Sequence, residues 1–132
     1  MTVRGIRGAT TANANTSESI LAATRELLTA IVEANALNVA DIASAYFTLT
    51  PDLDAAFPAR AARDMGWSDV ALIDAQAPHI QSDLPRCIRV LIHWNTERTA
   101  DEIVHVYLHD AKTLRPDRFS RSEPARSPQE PQ

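Results

Sequence analysis

The sequence predicts an α+β domain in which a mixed β-sheet carries two main helices on one side. Five short segments read as strands. One long segment has helical periodicity, and a second, shorter helix lies between chain breakers. They follow in the order β-α-β-α-β-β-β.

Residues 3–10 read as the first strand, although Gly5 and Gly8 weaken a strand unless backbone must pass close by. Thr16 or Ser17 can cap a helix running to about Ala36. Its apolar residues Ile20, Leu21, Leu27, Leu28, Ile31 and Val32 recur at helical spacing. Residues 44–50, rich in aromatic and Thr positions, form the second strand, which Pro51-Asp52 breaks. A short helix over 59–65 has Pro58 near its first turn and Gly66 as its C-terminal cap. Residues 69–75 and 87–95 are the third and fourth strands. Thr99-Ala100-Asp101-Glu102 has the form of a capping box, which predicts a helical turn before a fifth strand over 104–108. The domain is expected to span 1–117. Residues 118–132, polar and proline-rich without periodicity, are expected to form a disordered tail.

With 132 residues and 45% hydrophobic content, the chain suits one domain with a real core. It has no apolar run near the roughly 20 residues that cross a bilayer, and no apolar stretch of signal-peptide length at its start. No membrane partner is therefore expected. A net charge of −4 argues against a nucleic-acid partner. The single cysteine, Cys87, excludes an internal disulfide and fits a cytoplasmic location. Lys112 is the only lysine among 13 basic residues. Codon bias explains this as well as a need for guanidinium groups, which grip carboxylates with paired hydrogen bonds.

Much catalytic apparatus is missing. The sequence contains no phosphate-cradling glycine loop, nucleophile elbow or zinc motif. His105 and His109 on a strand would stand about 13 Å apart, too far to share an ion. Neither metal nor cofactor is expected. Cys87 reads as a small buried hydrophobe rather than a nucleophile. His79 and His93 read as isolated surface or hydrogen-bonded residues. On the fourth strand, parity puts Arg89 on the face opposite Ile88, Val90 and Ile92.

Five blocks then occur in order. They are Val3–Thr11; Thr50-Pro51-Asp52-Leu53 with Phe57–Arg63; Cys87-Ile88-Arg89-Val90; His105–Leu108; and Leu114-Arg115-Pro116-Asp117. Together they resemble the AroH class of chorismate mutases over residues 3–117. The resemblance implies a homotrimer forming a pseudo-α/β barrel, with active sites between subunits. It implies rearrangement of chorismate, a dicarboxylate, to prephenate without covalent intermediate or proton transfer, which matches the missing apparatus. By the same resemblance Arg89 donates to the breaking ether oxygen, Arg7 binds the side-chain carboxylate, and Tyr107 is its hydroxyl partner. Phe57 and Leu114 form apolar wall, and Leu72 and Ile73 also contact substrate. Arg60, Arg63 and Arg115 stand near the mouth, with Phe57–Arg63 coming from the neighbouring subunit. Without the resemblance, Arg7 and Arg89 would read as snorkelling or ion-paired strand residues, Arg63 as solvated, and Tyr107 and Phe57 as core.

One position departs from the family. A glutamate is expected twelve residues before the strand arginine, and Ala77 stands there, after Gln76. Asp74 is expected to supply the displaced carboxylate and orient Arg89; its plain alternative is a strand-end residue facing solvent. Two other functions stay open: a mutase-like enzyme on an analogue such as 4-amino-4-deoxychorismate, and a non-catalytic trimeric binder.

Overall fold

A computed structural model describes residues 1–114. Arg115, Pro116, Asp117 and the expected tail over 118–132 lie outside the described residues. The elements are β1 (Thr2–Thr11), α1 (Ser17–Asn35), β2 (Ile42–Leu49), α2 (Ala59–Asp64), β3 (Ala71–Gln76), β4 (Cys87–Thr96) and β5 (Val106–Tyr107). They form a five-stranded sheet in the order β3-β2-β4-β1-β5. The β1·β4 and β2·β4 pairs are antiparallel, while β2·β3 and β1·β5 are parallel, so the sheet is mixed as the sequence predicted.

Thr16 is the cap of α1: its side chain accepts the Ser19 N–H at 3.1 Å. The helix ends on Ala36, at φ 51°, with Leu37 N–H donating to Val32 O at 3.0 Å. Gly66 closes α2 in the same way at φ 94°, and the Trp67 N–H reaches Ala62 O at 3.0 Å. The expected capping box is present, with Glu102 accepting the Thr99 N–H at 2.8 Å.

The sheet's two faces differ sharply. Ile6, Ala45, Phe47, Val90 and Ile92 are buried against α1 and α2 in the main core. The opposite face carries Arg7, Tyr46, Arg89, Leu91 and His93, away from α1 and α2, as strand alternation requires. Tyr46 and its β3 neighbour Ile73 are 49% and 58% exposed there, a large apolar display for an isolated chain.

Gly8 explains one of the two strand glycines. A Cβ at this position would lie 2.6 Å from Ile31 Cδ1 and 3.2 Å from Leu27 Cδ1, so the missing side chain is what lets α1 settle on β1. At Gly5 a Cβ would meet only Leu91, at an ordinary 3.6 Å. Gly8→Ala should therefore lower unfolding free energy by about 1–3 kcal/mol through overpacking, and Gly5→Ala by less. Denaturant titration of both variants checks the contrast.

The fifth strand is shorter than the expected 104–108. Two side chains stand in for its ladder. Buried Asn35 donates to Val104 O at 3.0 Å and accepts the Val104 N–H at 2.9 Å. The Arg7 N–H donates to His105 Nδ1, not to a carbonyl, at 2.9 Å. Pairing begins only at Val106. His109, at φ 53°, then turns the chain into a 3₁₀ turn over His109–Thr113 that the sequence did not signal.

Candidate active site

The turn after β2 is built from the second sequence block. Thr50 Oγ1 donates to Asp52 at 2.6 Å and accepts the Cys87 N–H at 2.9 Å, while Asp52 accepts the Arg86 N–H at 2.8 Å. This cluster ties the end of β2 to the start of β4 and so fixes where Arg89 emerges. Cys87 itself is fully buried, and burial pushes its thiol up to about 11. It stays protonated at neutral pH and plays the packing role expected of it.

On the face away from α1 and α2, a cleft of about 480 Å³ is lined by Arg7, Thr48, Arg89, Leu91, Tyr107 and Leu114, among others. Its size suits a small ligand. Arg7 comes from β1, Arg89 from β4 and Tyr107 from β5, so one patch of sheet gathers both strand arginines and the tyrosine. Thr48, paired with Arg89, and Tyr46 line it too, and neither is marked as a site residue by any sequence motif.

Phe57, Arg60 and Asp74 line a second cleft, also about 480 Å³, with Leu53 and Gln76. Phe57 is 67% exposed at its edge. Arg63 is exposed on α2 and close enough to act on Asp74 by charge. Ile73 is exposed on the face away from α1 and α2, and Leu72 packs against the core; neither lines the two clefts.

Register separates the two groups. Asp74 pairs with Phe47, and Arg89 with Thr48; Phe47 and Thr48 are consecutive on β2 and face opposite ways. Arg7 lies three strands from Asp74, about 14 Å at the usual spacing. Within one chain, therefore, Asp74 does not orient Arg89. Its Oδ1 accepts the Ala59 N–H at 2.9 Å and holds the start of α2. Burial raises its pKa, against the lowering effects of that hydrogen bond and of Arg63.

A raised carboxyl pKa means stability is lost as pH rises through its titration. Asp74→Asn keeps an acceptor for Ala59 and should leave stability at neutral pH unchanged or slightly higher. Asp74→Ala strands the N–H and should cost about 1 kcal/mol in thermal or denaturant unfolding.

The acid beside Arg89 is Asp83, from the loop between β3 and β4. Its Oδ1 lies 2.9 Å from Arg89 Nη2. The guanidinium holds the Asp83 carboxyl below its usual range. Burial opposes the charge on Arg89 but is outweighed, with the Asp83 hydrogen bond foremost, so its pKa is raised. His105 and His109 have separate partners: His105 Nδ1 accepts the Arg7 N–H, and His109 bonds to Glu26 at 2.9 Å. No helix among the described residues is long and apolar enough to cross a membrane.

Residues 3–118 match the family model for chorismate mutase type I. The chorismate mutase AroH of Thermus thermophilus is 49% identical over 116 residues, covering 87% of this chain and 95% of that protein. That of Bacillus subtilis (strain 168) is 42% identical over 118 residues, covering 89% and 93%. Among solved structures, a chorismate mutase from Clostridium thermocellum superposes with a TM-score of 0.83 at 49% identity, covering 84% of this chain and 99% of that one. The two arginines on the sheet face away from α1 and α2 thus stand in a chain that belongs to the type I, AroH-class chorismate mutases.

Proposed function

We propose that the protein is a cytosolic chorismate mutase, an isomerase that rearranges chorismate to prephenate. The observation that carries this reading is the convergence of Arg7, Arg89 and Tyr107 on one cleft of small-ligand size. An intramolecular [3,3] rearrangement needs neither nucleophile nor proton carrier. It needs a compact conformer and donors aimed at charge that develops as a bond breaks. Arg7 anchors a substrate carboxylate, Tyr107 adds a hydroxyl, and Leu114 closes an apolar side. Arg89 donates to the ether oxygen, which gains negative charge as its C–O bond lengthens.

We further propose a homotrimer in which the cleft of one subunit meets Phe57, Arg60, Arg63 and Asp74 of the next. Arg89 and Asp74 lie on opposite faces of the sheet, with Arg7 and Tyr107 three and four strands from Asp74, so a head-to-tail ring would join the two groups across subunits. The exposed Tyr46 and Ile73 supply apolar surface for such a contact. Asp74 reaches Arg89 or the ligand only in this arrangement. Asp74→Asn, which preserves the α2 contact, should then cut kcat/KM steeply at unchanged stability; an unaltered rate would remove Asp74 from the site.

Loss of chorismate absorbance, with prephenate identified as product, tests the activity. 4-Amino-4-deoxychorismate assayed in parallel should turn over more slowly. Binding of chorismate without turnover would overturn the enzymatic reading.

A further inference from the structure

We propose that Asp83 is the positioning residue for Arg89, holding the catalytic guanidinium in its working orientation for the reaction proposed above, on which this inference rests. An arginine has several rotatable bonds and loses much of its value as a transition-state donor if it must be ordered during the reaction. In this chain one contact removes that freedom. Asp83 Oδ1 meets Arg89 Nη2 at 2.9 Å, while the remaining donors of the fork are left for a ligand in the cleft.

The carboxylate is itself fixed. The same Oδ1 accepts the Leu84 N–H at 2.8 Å, and the Asp83 N–H closes a turn onto Ile80 O at 3.0 Å. The loop bearing Asp83 is tied at both ends. At its start the Ala77 N–H donates to Leu49 O at 2.7 Å; at its finish Arg86 Nε donates to Ala12 O at 3.1 Å. The Asp83 side chain is partly exposed, at 20%, so these backbone ties rather than burial hold it in place. Asp74 does not perform this service within the chain, since it lies on the other face of the sheet.

The pairing has a kinetic signature. Asp83 offsets part of the cleft's positive charge, so it opposes ground-state binding of a dianion while it improves the aim of Arg89. Its removal should lower kcat without raising KM. A residue that merely held the loop would, when altered, loosen the cleft and raise KM as well.

The test compares Asp83→Asn and Asp83→Glu in the full chain, with chorismate as substrate and thermal unfolding as the control for folding. Asp83→Asn can still accept the Leu84 N–H. It should lose roughly tenfold in kcat with KM equal or lower. Asp83→Glu keeps a carboxylate and should recover part of that loss. In an Arg89→Lys background, Asp83→Asn should have little further effect, because the two residues act as a unit. Wild-type kcat in Asp83→Asn would overturn the inference and leave the role of Arg89 standing. So would equal losses in the Asn and Glu variants with raised KM. Full activity in Arg89→Lys alone would instead overturn the reading of the site.

Discussion

Arg89→Ala should lower kcat by roughly 10³-fold while the protein keeps its fold. Removal of a single neutral donor to a developing oxyanion typically costs 10²–10³ in rate, and Arg89 supplies a charged donor in a partly buried cleft. The structural cost is small by comparison. The ion pair it would break, with Asp83, leaves the Arg89 side chain 34% exposed, and partly exposed pairs contribute at most about 1 kcal/mol. Arg7→Ala should behave differently. An anchor for a carboxylate that keeps its charge throughout the reaction binds ground and transition states alike, so KM should rise more than kcat falls. Steady-state kinetics on both variants, with melting curves beside them, separates the two roles. An Arg89→Ala enzyme within tenfold of the wild-type kcat would be incompatible with electrostatic catalysis from β4.

Much of this was legible in the sequence because the relevant signals are local or periodic. The apolar spacing of α1, the Thr16 cap, the breakers at Pro51 and Gly66, and the parity that turns Arg89 away from Ile88 and Val90 need no knowledge of what packs where. The resemblance of five ordered blocks then tied Arg7, Arg89 and Tyr107 to one patch. What escaped depends on register and on side chains replacing backbone. The face taken by Asp74 follows only once β3 is known to pair with β2 through Phe47. The shortened β5 follows only once Asn35, nearly seventy residues away, is seen to bond both polar groups of Val104. Asp83 sits on a loop, where spacing carries no periodic information, so nothing in its sequence context pointed to Arg89.

The arrangement of the two clefts predicts that two inactive variants will repair each other. Arg89→Ala disables the cleft on the sheet face; Arg60→Ala with Arg63→Ala disables the one beside α2. If each site is assembled from the first of one subunit and the second of its neighbour, neither pure trimer has an intact site. Unfolded together in equal amounts and refolded, the two chains should assort at random. A given site then has both halves intact in about one case in four, so activity should recover to about a quarter of wild type. The recovery is specific to sharing. With all catalytic groups confined to one chain, every site would carry a lesion whatever its neighbours, and the mixture would remain as inactive as its components. The geometry argues for recovery because Asp74 and Arg89 are on opposite faces of one sheet, Arg89 on its central strand and Asp74 on its edge. A side chain does not pass through a paired sheet, so recovery is the outcome expected of the proposed shared site.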